Sequence, residues 1–402
     1  MSTDTSSRPH RASRWEDRFV RGVSRTLRGR GWQPRIEPYT GYGIAADGDE
    51  DGWVRVLGRV MLSPTSHQQA HAETDPTALQ EDSAPEPRSR KARTTARRGP
   101  EPLRAVRGWR SFFTAQLPEA AVEIIVDGVT HSATSDRGGY VDAVVPARLT
   151  EGWHDVRVRP AGGGPAVRTP VRVLGAHETT GLVSDVDDTV MVTALPRPLT
   201  AIWNILVLHE DARKPVKGMS ALYAEVDAAY PDIPVFYLST NAWNVAPALR
   251  RFFAYHRYPA GPLFLTDWGP TNTGWFRSGR EHKRRALERL AEEFPQVRWL
   301  LFGDDGQHDP MIYGEFADKH PEQVRAVAIR QLSPTEQVLA HGAPTPNVGS
   351  RTKDRTTTGA VPVLGAPDGA GLSRALHAAG VLPGPGAPDA PTAPGAPGTI
   401  AS

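Results

Sequence analysis

Residues 182–189 read Leu-Val-Ser-Asp-Val-Asp-Asp-Thr, an apolar run ending in two carboxylates one residue apart, Asp185 and Asp187, with a hydroxyl at Thr189. A short apolar run that stops at acidic residues reads as a strand of a parallel sheet, buried on both faces. Residues i and i+2 of a strand point the same way, so both carboxylates face one site at its end. Two close carboxylates repel, and a divalent cation with a preference for hard oxygen ligands is the usual resolution. For the octapeptide alone, an acidic strand-to-loop turn is the plainer alternative.

Downstream, strand-like runs at 181–184, 233–238, 261–265, 297–302 and 324–329 alternate with helical periodicity over 218–229, 246–256 and 281–294. Such alternation predicts right-handed crossovers and an α/β fold with a doubly wound parallel sheet, here spanning 178–340. Ligands of these sheets bind outside the carboxyl ends of the strands. Upstream, runs at 53–62, 112–114, 122–126, 140–145, 154–158 and 171–174 are separated by Asp127-Gly128 and Gly138-Gly139 turns. Many short strands with glycine turns and no intervening helix predict a small β-sandwich over 35–175. Residues 65–107 are polar and proline-rich, which predicts a disordered insertion, and 341–402 read as a disordered tail of Pro, Gly, Ala and Thr.

Bulk composition agrees with this division. A chain of 402 residues has room for two domains, while 39% hydrophobic content with 37 prolines and 38 glycines is low for one compact body. The absence of cysteine excludes disulfides, thiolate nucleophiles and cysteine metal sites. The net charge of +2 conceals a basic N-terminus, with Arg8, Arg11, Arg14, Arg18, Arg21, Arg25, Arg28 and Arg30 set against Glu16 and Asp17. Trp15, Phe19, Val23 and Leu27 recur every four residues there, so 1–34 is expected to hold a basic amphipathic helix. That helix either docks on its own protein with its arginines solvated or lies on an anionic membrane surface. No stretch approaches the roughly 18 apolar residues of a membrane span, and the N-terminus lacks the apolar core of a signal peptide. The expected location is cytoplasmic, with any membrane contact peripheral.

Three further features fall at strand ends or in the following helix. Residues 235–241, Val-Phe-Tyr-Leu-Ser-Thr-Asn, run a buried strand into Ser239 and Thr240, a hydroxyl and amides suited to a phosphate oxygen. Lys283 stands in Arg-Glu-His-Lys-Arg-Arg at the start of a predicted helix, where the dipole disfavours a cation. Residues 299–310, Trp-Leu-Leu-Phe-Gly-Asp-Asp-Gly-Gln-His-Asp-Pro, release Asp304 and Asp305 from a second apolar strand, with Asp309 in the same loop. Carboxylates in a glycine-bearing loop suit magnesium, which takes one or two acidic ligands and completes its octahedron with water and phosphate. His308 has no partner histidine nearby and is expected to orient the loop or bond substrate rather than ligate metal. Each feature has a bland reading as well: a common Ser-Thr turn, a surface lysine in a basic run, a solvated acidic loop.

The succession Asp-x-Asp-x-Thr, strand-end Ser, helical Lys and Gly-Asp-x-x-x-x-Asp resembles the haloacid dehalogenase superfamily of phosphotransferases. More narrowly, Ser-Asp-Val-Asp-Asp-Thr at 184–189, Leu-Ser-Thr-Asn-Ala-Trp-Asn at 238–244 and Phe-Gly-Asp-Asp-Gly-Gln-His-Asp-Pro-Met-Ile-Tyr at 302–313 resemble the catalytic domain of the actin-patch-type phosphatidate phosphatases. The resemblance covers about 178–335, and Thr240-Asn241-Ala242 departs from the Ser-Ser/Asn-Pro of that family. It implies Asp185 as nucleophile and Asp187 as acid and base, with Ser239 and Lys283 offsetting charge on the phosphoryl oxygens. It further implies magnesium held by Asp185, the Asp187 backbone carbonyl and Asp304, supported by Asp309 or Asp305. The implied reaction is hydrolysis of phosphatidate to diacylglycerol through an aspartyl-phosphate. Apolar Ile202, Trp203 and 205–208 would touch acyl chains or form a buried helix. The alternatives are a phosphatase of a soluble metabolite or polynucleotide end, and a non-catalytic phospho-acceptor of receiver type. A phosphorylated small molecule or lipid is the expected partner, and nucleic acid is not expected.

Overall fold

Strand β1 (Trp32–Ile44) turns back through β2 (Gly52–Pro64) as a long antiparallel pair, with Ile36 opposite Val60. The computed structural model describes residues 22, 26–48, 50–64, 115–192, 214–266, 275–306, 308–341, 357–358 and 361–383. Six more strands complete the first sheet: β3 (Ala115–Gln116), β4 (Ala121–Val126), β5 (Val129–Thr134), β6 (Tyr140–Ala147), β7 (Gly152–Pro160) and β8 (Val167–Leu174). The strand order is β3-β2-β1-β8-β7-β4-β5, with β6 on β2. In β4 the residues alternate, sending Val122, Ile124 and Val126 inward. The turn into β5 places both Asp127 (φ 51°) and Gly128 (φ 75°) in the left-handed region, the geometry of a tight hairpin.

The sandwich expected over 35–175 is corrected here. All eight strands belong to one hydrogen-bonded sheet, and β1 and β8 pair in parallel. Val54, Val56 and Val60 of β2 share a core with Val122 and Ile124 of β4, from far along the strand order, so the sheet curls barrel-like around one interior. Inward–outward alternation is the same in a sandwich and a barrel, so pairing was not legible from the period.

Five residues separate β8 from the first strand of the second sheet. Its strands are β9 (Thr180–Asp185), β10 (Val235–Ala242), β11 (Leu263–Thr266), β12 (Arg298–Asp304), β13 (Val324–Arg330), β14 (Thr357–Thr358) and β15 (Val361–Ala366). They are ordered β11-β10-β9-β12-β13-β15-β14, parallel except for β14. The helices are α1 (Met219–Ala229), α2 (Ala246–Tyr255), α3 (Trp275–Glu293), α4 (Asp309–Lys319), α5 (Pro334–His341) and α6 (Gly369–Ala378). Chain order runs outward from β9 to β11, then returns to β12 and runs outward the other way. The switch between the two directions lies between β9 and β12, where such sheets bind ligands.

The tail expected from 341 is corrected in part. Residues 361–383 rejoin the domain: β15 adds to β13, and α6 packs on α1 with Leu372 and Leu376 fully buried. Asp368 caps α6, accepting from the Gly371 amide at 2.9 Å. The segment is poor in large apolar residues because a short strand next to the sheet edge and one short helix need few of them. Most of the N-terminal helix, the 65–107 insertion, the apolar 202–208 stretch and 384–402 lie outside the described residues. Among the described residues no helix is long and apolar enough to cross a membrane.

The two sheets share a packed junction. Tyr39 stacks on Trp243 with ring centroids 4.4 Å apart, and Tyr42 sits edge-on to Phe236 and Phe264. The Tyr42 hydroxyl donates to Glu293 at 2.8 Å, and Arg55 bridges Glu293 and Asp142. A cleft of about 360 Å³ remains beside this contact, lined in part by Tyr39, Tyr140, Trp243, His282 and Arg289.

Candidate active site

Neighbouring strands β9 and β12 run in parallel with Ser184 opposite Phe302, so their ends deliver Asp185 and Asp304 to one place. Every residue of β9 is buried. Asp185 is 1% exposed, Asp304 and Asp309 are 0%, and Lys283 is 2%. Charges this deep persist only when paired or bound to a cation.

Lys283 comes from α3. Buried Ala286, Leu287 and Leu290 follow it at i+3, i+4 and i+7, so the lysine occupies the apolar stripe of an amphipathic helix. That helix begins at Trp275 rather than 281, which puts Lys283 about two turns inside it and away from the unfavourable end of the dipole. Its ammonium donates to Asp185 Oδ1 at 2.7 Å and to Asp309 Oδ1 at 2.5 Å. Burial disfavours the ammonium, but Asp185 and Asp309 outweigh it and raise its pKa, so it stays charged.

Asp309 is the first residue of α4, where the helix dipole favours an anion. The sequence predicts a loop position for Asp309, and the helix instead starts at it. Its approach to β12 depends on Gly303: a Cβ there would lie 2.7 Å from Asp309 Oδ2 and 2.8 Å from the Tyr313 ring. Asp304 Oδ1 accepts from the Gly306 amide at 2.7 Å, while its buried Oδ2 has no hydrogen-bond partner among the described residues. Oxygens of Asp185, Asp304 and Asp309 lie within 4.8 Å of one another. Burial, opposed by Lys283 and reinforced by Asp309 and Asp187, pushes the Asp185 carboxyl well above the usual range. Burial, then Asp309 and Asp185, does the same to Asp304. Three carboxylates facing one ammonium either share a proton or take a cation. An all-oxygen set with one unsatisfied buried oxygen fits magnesium.

The Asp187 carboxylate turns toward the other neighbour, β10. Its Oδ2 accepts from Ser239 Oγ at 2.9 Å and from Asn241 Nδ2 at 2.8 Å. Asn241 also reaches Ser239 Oγ, with Nδ2 at 2.9 Å and its backbone amide at 3.1 Å. Ser239, expected against a phosphate oxygen, thus bonds a carboxylate, and Asp187 is not one of the three clustered carboxylates. Thr189 Oγ1 donates to Asp185 Oδ2 at 3.3 Å. Asp305 Oδ1 accepts from the Leu332 amide at 2.8 Å. His308 is exposed at the cap of α4. Asn241 joins the Asp187 and Ser239 side chains although its sequence pattern assigns it no role of its own. Its signal was its place two residues after Ser239 on one strand, hence on the same side. Arg330, which no sequence motif singles out, holds the Asp187–Asp188 turn by donating to the Asp188 carbonyl at 2.7 Å.

The class so defined is a parallel α/β domain with a buried carboxylate–lysine centre at the switch point of its sheet. Within that class, residues 180–331 match the family of the catalytic domain of phosphatidate phosphatase APP1. Phosphatidate phosphatase APP1 of Saccharomyces cerevisiae is 27% identical over 155 residues, 38% of this chain and 26% of the yeast protein. An uncharacterized protein of Schizosaccharomyces pombe is 23% identical over 152 residues, 38% of this chain and 25% of its own length. The chain therefore spans about a quarter of the length of these curated relatives. Among solved structures, the HAD domain of effector protein Lem4 from Legionella pneumophila superposes on 46% of this chain and 96% of its own, with 15% identity and a TM-score of 0.28, too loosely to carry weight.

Proposed function

We propose that the α/β domain hydrolyses a phosphomonoester by transferring the phosphoryl group to Asp185, and that the substrate is phosphatidate. The observation that carries this reading is a buried Asp185 at the end of the central strand, neutralised by Lys283 and followed by Asp187 held at its own distinct set of donors. A carboxylate is an adequate nucleophile once its target is aligned and its charge offset.

An Asp185 oxygen attacks phosphorus, the ester P–O bond breaks, and its electron pair passes to the leaving alkoxide. Asp187 gives that oxygen a proton, then takes one from the water that attacks the aspartyl-phosphate. The P–O bond to Asp185 breaks, which frees inorganic phosphate and restores the carboxylate. Lys283 offsets negative charge at Asp185 and on the phosphoryl oxygens. Thr189 orients the other Asp185 oxygen. Asp185, Asp304 and Asp309 would hold magnesium, which when bound supplies positive charge to the phosphoryl group.

The lipid assignment draws on the yeast relative, whose name gives phosphatidate as its substrate. Phosphate release is measured from phosphatidate vesicles and from a panel of soluble phosphomonoesters, with and without magnesium. Faster magnesium-dependent release from phosphatidate is expected, and faster release from sugar phosphates sinks the lipid reading. Asp185→Asn should abolish turnover with an unchanged circular dichroism spectrum. A variant that keeps most of its activity excludes Asp185 as nucleophile.

A further inference from the structure

Asn241 lies between Thr240 and Ala242, the two residues at which the chain departs from the sequence pattern it otherwise follows, and its side-chain amide lies 2.8 Å from Asp187 Oδ2 and 2.9 Å from Ser239 Oγ. A carboxylate only accepts, so the amide nitrogen, not its oxygen, must face Asp187. Ser239 Oγ reaches the same Oδ2 at 2.9 Å. Two donors from β10 therefore converge on one carboxylate oxygen. A carboxylate is planar, so holding Oδ2 by two bonds fixes the rotation of the group and the direction in which Oδ1 points. Neither donor is bonded to the Asp185–Lys283–Asp309 group, whose hydrogen bonds come from Lys283 of α3, Thr189 in the turn after β9 and the Asp304 amide at the end of β12. The nucleophile and the proton-transfer carboxylate are thus held by separate elements.

The segment that carries Asn241 is itself anchored. Thr266 Oγ1 at the end of β11 donates to the Thr240 carbonyl at 2.8 Å, and Trp243 stacks on Tyr39 of the curled sheet. The amide is consequently presented by a braced strand end.

We infer that Asn241 is a positioning residue that aims the Asp187 carboxyl at the leaving-group oxygen, so that it governs proton delivery to the ester oxygen rather than attack by Asp185. The inference rests on the proposed roles of Asp185 and Asp187. It predicts a dependence on the leaving group. An alkoxide departs only with a proton, whereas p-nitrophenolate leaves unaided, so loss of aim should harm alkyl esters and spare the aryl ester. The quantity to compare is kcat/KM, which reports steps up to phosphoryl transfer and not the later hydrolysis of the aspartyl-phosphate.

The full chain and its Asn241→Ala and Asn241→Asp variants are assayed on p-nitrophenyl phosphate and on the alkyl phosphomonoester that the panel above ranks first. A positioned acid contributes about 10²–10⁴, so Asn241→Ala should lower kcat/KM for the alkyl ester by roughly tenfold or more and for the aryl ester by under about threefold. Asn241→Asp, which keeps the shape but sets an anion against Oδ2, should widen that gap further. Equal losses on the two esters, or a loss carried by KM alone, overturn the inference and make Asn241 a phosphate contact or a fold residue. Unfolding midpoints for each variant separate misfolding from misaim, and Asn241→Asp supplies the isosteric check if the alanine variant is unstable. A wild type that turns over neither ester overturns the hydrolase reading itself, and the inference with it. A wild type that is active alongside an inactive Asp185→Asn, with no leaving-group dependence, overturns the inference alone.

Discussion

Replacing Lys283 with methionine removes the only cation bonded to Asp185 and Asp309 among the described residues, at nearly constant side-chain length. At an effective dielectric of about 20, contacts of 2.7 Å and 2.5 Å are each worth roughly 6 kcal/mol of gross attraction. Burying the three groups takes back much of that gain, but deleting the lysine alone removes the attraction while the two carboxylates stay buried and keep their desolvation cost. Breaking a buried pair in this way costs about 3–5 kcal/mol, and that is the expected drop in unfolding free energy for Lys283→Met near neutral pH. The measurement is urea unfolding followed by tryptophan fluorescence, with and without millimolar magnesium. Magnesium should recover part of the loss, because Asp185, Asp304 and Asp309 retain their oxygens and their excess charge. Turnover should fall by about 10²–10³ from loss of charge stabilisation on the phosphoryl group. A stability loss under about 1 kcal/mol, unaffected by magnesium, would refute the view that Lys283 balances the buried carboxylates.

Two further predictions test other parts of the structure. Leu372→Ala in α6 should cost about 2–5 kcal/mol within a single unfolding transition, because Leu372 is fully buried against α1; a loss under about 0.5 kcal/mol would return 361–383 to the status of a tail. His282 lines the junction cleft, and burial, opposed by a bond to the Phe264 backbone and reinforced by Arg285, Lys283 and Arg289, lowers its pKa from the ordinary 6.5. The unfolded chain therefore binds a proton that the folded one resists, so stability is unaffected above about 6.5 and falls as pH drops through the lower folded value. His282→Asn should flatten the fall in melting temperature between pH 6.5 and pH 4, and an unchanged profile removes His282 as its source.

The alternation of apolar runs and helical stripes after residue 180 determined the parallel sheet, because period and length alone separate a buried strand from an amphipathic helix. The spacing of Asp185 and Asp187 likewise placed them at the end of β9, and Gly303-Asp304 at the end of β12, since a buried strand ends where unpaired charge begins. The order of strands was not in that pattern. β9 and β12 are more than a hundred residues apart in the chain, and only their pairing brings the two acidic ends together. Lys283 read as a helix-start cation because Trp275 to Arg280 carry no decisive cap, yet its partners identify it as a core residue. Local polarity in 341–402 hid β15 and α6, whose burial depends on surfaces supplied by β13 and α1. The curl of the first sheet and the turn of Asp187 toward Ser239 and Asn241 were equally invisible. Sequence by itself determined which residues end strands and carry charge. Tertiary structure alone decided which of those charges meet, because contact between distant strand ends is set by pairing and packing, and neither leaves a local periodic trace.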